Sequence, residues 1–167
     1  MKKIFLLLSI VSVFGLTSCS NDDDRPDNDT FPEVFEVNNV NFIASGNFQA
    51  LVPLSPKIFS SDVVLVYRLA GANQLGNDIW EPIPTTYNLT EGQLNYNFDF
   101  SQDEVVLYLD TTFDPMLRQD FSLNQVFRIV LVPGYVAQNL DSKNYDVVMS
   151  ALKANNGSKE IEIQSLK

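Results

Sequence analysis

Alternation of apolar and polar residues with a period of two constrains the fold of this 167-residue chain more than any other feature. The clearest segment is 94–101, where polar residues separate four apolar ones, Leu94, Tyr96, Phe98 and Phe100. Successive side chains of a strand point to opposite faces, so this pattern predicts a strand with one buried and one solvated face. Three segments are apolar on both faces and predict central strands: 61–69, 104–109 and 126–132.

Two prolines predict an edge strand between Ile79 and Tyr87. Pro82 and Pro84 lack an N–H, and at a spacing of two residues the missing donors lie on the same side of a strand. That side cannot pair with a neighbour, so we expect an edge strand with its proline side outward. Trp80 is expected on the same side-chain face as the two prolines.

One helix is expected near residues 143–154. Its apolar residues recur at i, i+3, i+4 and i+7, and they are Tyr145, Val148, Met149 and Leu152. Asp141, Ser142 or Asn144 can cap its start, and Gly157 can end it. Earlier in the chain, Asp114 followed by Pro115 predicts a single helical turn.

The chain is therefore predicted to be mainly β. Weaker strand candidates bring the number of strands to between six and nine, and they are 34–37, 40–44, 48–54 and 161–164. We expect one domain over residues 33–167, a single antiparallel β-sandwich with one C-terminal α-helix. An immunoglobulin-like architecture is compatible with this pattern, although the Cys–Trp–Cys pattern of true immunoglobulin domains is missing.

The composition removes most catalytic chemistry. The chain has no histidine and a single cysteine, so it lacks the commonest general base and the Ser–His and Cys–His nucleophile pairs. It has no GxSxG, no GxGxxG and no EF-hand calcium loop. We therefore expect no catalytic residues, no cofactor and no metal site.

Carboxylate chemistry is the remaining catalytic alternative. A glycosidase needs two acids that flank a cleft, and five acids lie close together in the sequence: Asp103, Glu104, Asp110, Asp114 and Asp120. Each of them also suits a turn, a strand end or a helix cap. A structural role is therefore the preferred interpretation, and a small carboxylate glycosidase is the alternative.

Aromatic residues in the strands are the best candidates for binding. Trp80, Tyr87 and Tyr96 could stack on a sugar or give an amphipathic contact surface. The alternative is that these rings fill the core or cover its rim. Trp80 and Tyr87 are the preferred binding candidates, because an edge strand leaves one side open.

The N-terminus has the organisation of an export signal. Residues 2–3 are lysines, and the largely apolar run 4–16 is shorter than the about 20 residues that span a bilayer. The run leads into Leu16–Cys19, which resembles the lipobox of bacterial lipoproteins. The resemblance implies cleavage of residues 1–18 as a signal peptide and a lipid anchor on Cys19. An ordinary secretory signal is the alternative.

An acidic segment follows the cysteine. Residues 19–32 include Asp22–Asp24 and contain a single basic residue, Arg25, so they predict a disordered tether. The run resembles that of Bacteroidota-type lipoproteins, in which it implies export to the cell-surface side of the outer membrane. A periplasm-facing position, with the acids as a merely solvated tether, is the alternative.

Net charge limits the expected partners. The chain carries 11 basic and 21 acidic side chains, and loss of residues 1–18 removes two lysines, which leaves a net charge of −12. No basic patch is available to release counterions from nucleic acid, so nucleic acid is not an expected partner. The expected partners are the membrane, through the lipid on Cys19, and an unknown protein or glycan.

A short modification motif lies at residues 110–112. Asp110-Thr111-Thr112 resembles the acceptor motif for O-glycosylation in Bacteroidota-type exported proteins. The resemblance implies Thr111 as the glycosylated residue.

The body of the chain resembles small Bacteroidota lipoproteins to which no activity is assigned. Three segments carry the resemblance: 35–42, 80–87 and 127–134. The expected function is that of a non-catalytic, membrane-anchored lipoprotein at the outer membrane or cell surface, with a β-domain for binding or assembly. The alternatives are a glycan-binding accessory module of an outer-membrane uptake system and the small glycosidase.

Overall fold

A computed structural model of the protein describes residues 33–166. The predicted signal peptide, lipidated Cys19 and acidic tether lie outside these residues. The described chain contains nine strands: β1 (Glu33–Val40), β2 (Gln49–Pro53), β3 (Val63–Ala72), β4 (Asp78–Pro82), β5 (Thr85–Asn88), β6 (Gln93–Phe100), β7 (Glu104–Thr111), β8 (Gln125–Val132) and β9 (Ile163–Leu166). It also contains three α-helices: α1 (Gln119–Ser122), α2 (Gly134–Ala137) and α3 (Tyr145–Asn155).

The strands form two packed sheets. The first has five strands in the order β4-β3-β8-β1-β9, and the second has four in the order β2-β7-β6-β5. Neighbouring strands are antiparallel, with one exception, the parallel pair of β1 and β9. The predicted mainly β fold, a β-sandwich with a C-terminal helix, is confirmed.

The core lies between the two sheets. Alternate residues of the second sheet point inward, and the buried ones include Leu94, Tyr96, Val105, Leu107 and Leu109. The inner face of the first sheet contributes Val64, Val66, Phe127 and Ile129. The three predicted central strands are β3, β7 and β8, and each pairs with a neighbour on both sides.

Helix α3 covers the outer face of the first sheet. The Asn144 side chain caps its start by accepting a hydrogen bond from the Val147 N–H at 3.2 Å. Val148 and Leu152 are buried against a second apolar cluster, formed by Val34, Tyr67, Val130 and Val132. The predicted helix is confirmed, and the described domain has three layers. Among the described residues, no helix is both long and apolar enough to cross a membrane.

The segment 79–87 differs from the prediction of one edge strand. It forms two edge strands in different sheets, because β4 ends at Pro82 and β5 begins at Thr85. The Ile83 N–H donates to the Val66 carbonyl at 3.0 Å as the chain leaves the first sheet. The Ile83–Pro84 peptide bond is cis. The prediction of an edge was right, but the chain crosses from the first sheet to the second between Pro82 and Thr85 instead of continuing as one strand.

The weak strand prediction for residues 40–44 is wrong. β1 ends at Val40, after a bulge between Val37 and Val40, and Asn39 has a φ of 58°. This irregular backbone ends the pairing with β8. The predicted helical turn at residue 114 is confirmed, since Asp114 caps the short 3-10 helix Pro115–Arg118 by accepting from the Met116 N–H at 2.9 Å.

Candidate functional site

The outer face of the first sheet carries an aromatic cluster beside the edge strand β4. Trp80 lies opposite Leu69 of β3, and Arg128 of β8 lies opposite Tyr67. The Arg128 guanidinium is 3.9 Å from the centroid of the Trp80 ring, which attracts the cation to its face. Tyr145, the first residue of α3, completes the cluster, with its ring centroid 5.7 Å from that of Trp80 and 5.1 Å from that of Tyr67.

A half-buried ion pair holds Arg128 over Trp80. Glu36 lies opposite Arg128 in the register, and its Oε2 accepts a hydrogen bond from Nε at 3.0 Å and lies 3.0 Å from Nη2 in the ion pair. The third guanidinium nitrogen, Nη1, donates to the Tyr145 hydroxyl. Burial raises the pKa of Tyr145, so its hydroxyl stays protonated well above neutral pH. These contacts fix the orientation of Trp80 at the sheet edge.

A polar groove of about 370 Å³ opens beside Trp80, between β4 and the start of α3. Its lining, which we name the tryptophan groove, consists of Asn73, Asp78, Ile79, Trp80, Lys143, Asn144, Tyr145 and Asp146. The two aromatic residues are half-buried, whereas the amide, carboxylate and ammonium side chains are exposed. The groove therefore combines ring surface with hydrogen-bonding groups, which suits a polar ligand with apolar faces.

A second groove of about 530 Å³ lies where the chain crosses between the sheets. Its lining, which we name the crossover groove, consists of Leu65, Val66, Glu81, Pro82, Ile83, Pro84, Thr85, Phe98, Ser142 and Lys143. Lys143 lines both grooves, so they adjoin along the β4 edge, and together they form what we name the edge cleft.

Between the sheets, Arg68 forms a polar network with residues of both sheets. Arg68 is 6% exposed, and its Nε donates to Gln125 Oε1 at 2.9 Å. Its Nη1 donates to the Tyr87 hydroxyl at 3.0 Å, and that hydroxyl donates in turn to Glu81. The guanidinium also lies 4.6 Å from the centroid of the Tyr96 ring. These five residues, which we name the arginine network, connect the core to the crossover groove through the Glu81 carboxylate.

Two of the three predicted binding aromatics belong to this network. Tyr96 is fully buried, and its hydroxyl donates to the Phe121 carbonyl. Burial raises the pKa of Tyr87 to about 12, and its hydrogen bond to Glu81 adds to the effect. Burial also raises the pKa of Tyr96. The structure places Tyr87 and Tyr96 in the sandwich interior, and among the three only Trp80 lines the edge cleft.

The predicted glycosylation residue, Thr111, ends β7. Its side chain is half-buried, and its hydroxyl donates to the Phe113 carbonyl. The neighbouring Thr112 is exposed, and its Oγ1 accepts from the Gln93 N–H at 2.9 Å. A sugar on Thr111 would therefore have to replace an internal hydrogen bond.

The acids that a glycosidase would need do not converge. Asp103 lies in the turn before β7 and pairs with Lys57 at 2.6 Å. Asp110 lies near the other end of β7, and its Oδ2 accepts from Asn97 at 3.1 Å. The seven strand residues from Glu104 to Asp110 span about 20 Å, so Asp103 and Asp110 lie at opposite ends of β7.

Asp114 and Asp120, two further acids of the sequence cluster, have structural partners. Asp114 caps the 3-10 helix, and Asp120 pairs with Arg118 at 2.7 Å. The Arg118 hydrogen bond lowers the pKa of the Asp120 carboxyl, whereas a catalytic acid at neutral pH needs a raised pKa. Asp78 and Asp146 share the tryptophan groove, but both are exposed, and burial is what keeps the acid of a glycosidase protonated.

Residues 33–166 contain no cluster of three or more histidine, cysteine, aspartate or glutamate side chains that could hold a metal ion. The edge cleft offers ring surface, hydrogen-bonding groups and single charges.

The sequence reasoning missed the two arginines that organise these clusters. Arg68 and Arg128 are each the single charged residue near the middle of an otherwise apolar strand. A buried charge needs partners, so a lone arginine in such a strand signals a polar or aromatic cluster. Their neighbours could not be identified from the sequence, because the partners come from β1, β4, β5, β6, β8 and α3, which are far apart in the chain.

Comparisons of the chain with family models, with curated proteins and with solved structures gave no significant match.

Proposed function

We propose that this chain is a non-catalytic lipoprotein, anchored through Cys19 at the outer membrane or cell surface, whose β-domain binds a ligand or partner. The lipobox Leu16–Cys19 and the acidic run Asp22–Asp24 support the location. The edge cleft supports a binding role, because it is the place where two grooves and the aromatic cluster meet. The separated, structurally engaged acids give no support to catalysis.

The single observation that carries the binding role is the exposure of the cleft along β4. β4 is an edge strand, and the Ile83 N–H points to β3, so the adjacent missing donor of Pro82 faces away from the sheet. A proline on that side hinders another strand from pairing there. Recognition at this edge therefore depends on side chains such as Trp80 and Lys143.

Lipidation is tested with Cys19→Ser in the native host. Metabolic labelling with a palmitate analogue is expected to label the wild type and the control Ser20→Ala, but not Cys19→Ser. The wild type is expected to partition into detergent on phase separation. Labelling of Cys19→Ser, or an unlabelled wild type, would contradict the anchor.

Display is tested by adding a broad-specificity protease to intact cells. We expect the domain to be degraded before lysis, while a periplasmic marker stays intact. Protection of the domain until lysis would instead support the periplasm-facing alternative.

Glycan binding is the second candidate function, and the tryptophan groove is the observation that favours it. Sugars present apolar C–H faces that stack on rings such as Trp80 and Tyr145, and their hydroxyls bond to amides and carboxylates. Asn73, Asp78 and Asn144 supply such groups beside the ring. A glycan-binding accessory module of an uptake system would use the groove in this way.

A glycan array with the full-length protein in detergent tests this candidate. Trp80→Ala is expected to lose the signal, whereas Phe100→Ala, which removes a 48% exposed ring on the second sheet, is expected to retain it. Trp80 is the only tryptophan, so its fluorescence reports on the groove directly. Absence of any array signal, or equal signals from both variants, would argue against glycan binding at this groove.

A further inference from the structure

The crossover groove offers apolar walls that come from both sheets. Leu65 and Pro82 belong to the first sheet, Pro84 lies in the crossing segment, and Phe98 comes from the second sheet. Its volume of about 530 Å³ lies in the range of small-molecule sites, which runs from roughly 300 to 1,000 Å³. A ligand with apolar side chains would replace water on several walls at once.

The same groove carries one negative and one positive side chain. Glu81 is half-buried on β4, and Lys143 is exposed in the loop before α3. Tyr87 donates to Oε2 of Glu81, a residue of the groove lining, and a carboxylate with one such bond keeps further acceptor capacity. The Lys143 backbone N–H donates to Asp141 Oδ1 at 3.2 Å, and its ammonium forms no ion pair among residues 33–166.

The arginine network makes Glu81 a rigid acceptor. Arg68 and Glu81 lie directly opposite each other in neighbouring strands, so their side chains share the inner face of the sheet. The Tyr87 hydroxyl links the two groups, and it is itself positioned by the Arg68 hydrogen bond at 3.0 Å. A positioned carboxylate loses little side-chain entropy when it accepts a further donor.

We propose that the crossover groove binds a short zwitterionic peptide of apolar amino acids, with its terminal ammonium at Glu81 and its terminal carboxylate at Lys143. This inference rests on the proposed binding role of the edge cleft and names its ligand class. Charge complementarity selects a zwitterion over a simple anion or cation, because the groove holds one charge of each sign. The apolar walls select leucine-like side chains over glycine.

Isothermal titration calorimetry of the full-length protein in detergent tests the inference, with leucyl-leucine as the probe. Three analogues each remove one feature: N-acetyl-leucyl-leucine lacks the ammonium, leucyl-leucinamide lacks the carboxylate, and glycyl-glycine lacks the apolar side chains. We expect leucyl-leucine to bind and each analogue to bind at least tenfold more weakly, about 1.4 kcal/mol.

Variants locate the two charges. Lys143→Met is expected to lower the affinity for leucyl-leucine tenfold. It is expected to bind leucyl-leucinamide as the wild type does, because that analogue has no carboxylate for Lys143 to contact. Glu81→Gln is likewise expected to lower the affinity for leucyl-leucine tenfold and to leave the affinity for N-acetyl-leucyl-leucine unchanged, because that analogue has no ammonium. Lys159→Met and Glu162→Gln change exposed charges elsewhere and are expected to bind like the wild type. Tyr87→Phe keeps the Glu81 carboxylate but removes the hydroxyl that positions it. This variant therefore separates the loss of the negative charge from the loss of its positioning.

Equal affinity for leucyl-leucine and its two blocked analogues would overturn the zwitterion, and so would unchanged binding by Lys143→Met. Absence of leucyl-leucine binding at millimolar concentration would also overturn it. If the glycan array still gave a Trp80-dependent signal in that case, the proposed binding role of the cleft would stand without this ligand.

Discussion

Two arginines on neighbouring strands of the first sheet, Arg68 and Arg128, each organise a cluster of side chains. The two clusters differ in how they stabilise the positive charge of the arginine. Arg68 of β3 points between the sheets and forms no ion pair within residues 33–166, and Glu81 is linked to it through the Tyr87 hydroxyl. Arg128 of β8 points to the outer face and binds Glu36 directly at 3.0 Å. Both guanidinium groups stack on aromatic rings, at 4.6 Å from Tyr96 and 3.9 Å from Trp80.

We expect the two arginines to differ in their main role, one in stability and the other in ligand binding. The inner cluster is buried at Arg68 and Tyr96, and its hydrogen bonds tie both sheets together, so we expect Arg68 to act mainly on stability. The outer cluster is half-buried and holds Trp80 at the mouth of a groove, so we expect it to act mainly on binding. Similar residue types thus acquire different roles according to which face of the sheet they occupy.

The largest expected effect is that of Arg68→Ala. Its loss removes the hydrogen bonds that the guanidinium donates to Gln125 and Tyr87 between the sheets, which is expected to cost about 2–5 kcal/mol in total. Urea unfolding followed by circular dichroism measures the free energy of unfolding. If Arg68→Ala lowered the free energy of unfolding no more than Arg128→Ala does, the proposed difference between the two clusters would be wrong.

Arg128→Ala is expected to be milder. The ion pair with Glu36 is half-buried and the stacking on Trp80 is near solvent, so we expect a loss of about 1–2 kcal/mol. The same unfolding experiment measures it. The Trp80 fluorescence spectrum should also change in Arg128→Ala and stay unchanged in Arg68→Ala under native conditions, and the reverse result would contradict the assignment of roles.

Tyr87→Phe is expected to cost about 1 kcal/mol, because it removes one hydroxyl that joins Arg68 to Glu81. Its effect should depend on Arg68, since both residues act in one network. In the double variant Arg68→Ala/Tyr87→Phe, we expect the two losses not to add, with a coupling of about 0.5–2 kcal/mol. Simple additivity would show that the hydroxyl and the guanidinium do not act together.

The smallest expected effect is a loss of folding stability at alkaline pH, and there is no such loss at neutral pH. Burial raises the pKa of Tyr87 to about 12, and it also raises that of Tyr67 and Tyr96, whereas unfolded tyrosines ionise near pH 10. Between these values the unfolded chain binds fewer protons, so stability that is fully present below pH 10 falls as pH rises.

Absorbance at 295 nm measures tyrosine ionisation in the folded protein. At about pH 11 we expect part of the six tyrosines to remain protonated, and urea to release the rest. Tyr87→Phe should reduce the amount that urea releases. Complete ionisation of the folded protein near pH 10 would place these rings in solvent and break the account of the inner cluster.

The strands and the long helix follow from local pattern. Leu94 and Tyr96 alternate with polar residues and are buried, and Val148 and Leu152 form the buried stripe of α3, as predicted. The crossing at Ile83 was missed because two prolines identify an edge, but the choice between one long edge and a change of sheet depends on tertiary packing.

The candidate site was only partly predictable. Trp80 was identified because an edge strand leaves one side of a large ring open, and it does line the cleft. Tyr87 was assigned to binding on similar grounds, but the structure turns it inward toward Arg68. The side of a sheet that a residue near a crossing occupies depends on where the chain changes sheets, and no local pattern gives that position.

The placement of β1 has a mechanical consequence. β1 is not an edge strand but lies between β8 and β9, antiparallel to one and parallel to the other. A force that reaches the domain through residue 32 therefore pulls along a strand that is bonded on both sides. Such a load shears two hydrogen-bonded ladders at the same time instead of breaking one bond after another, so we expect the domain to resist unfolding by a force applied at its N-terminal end.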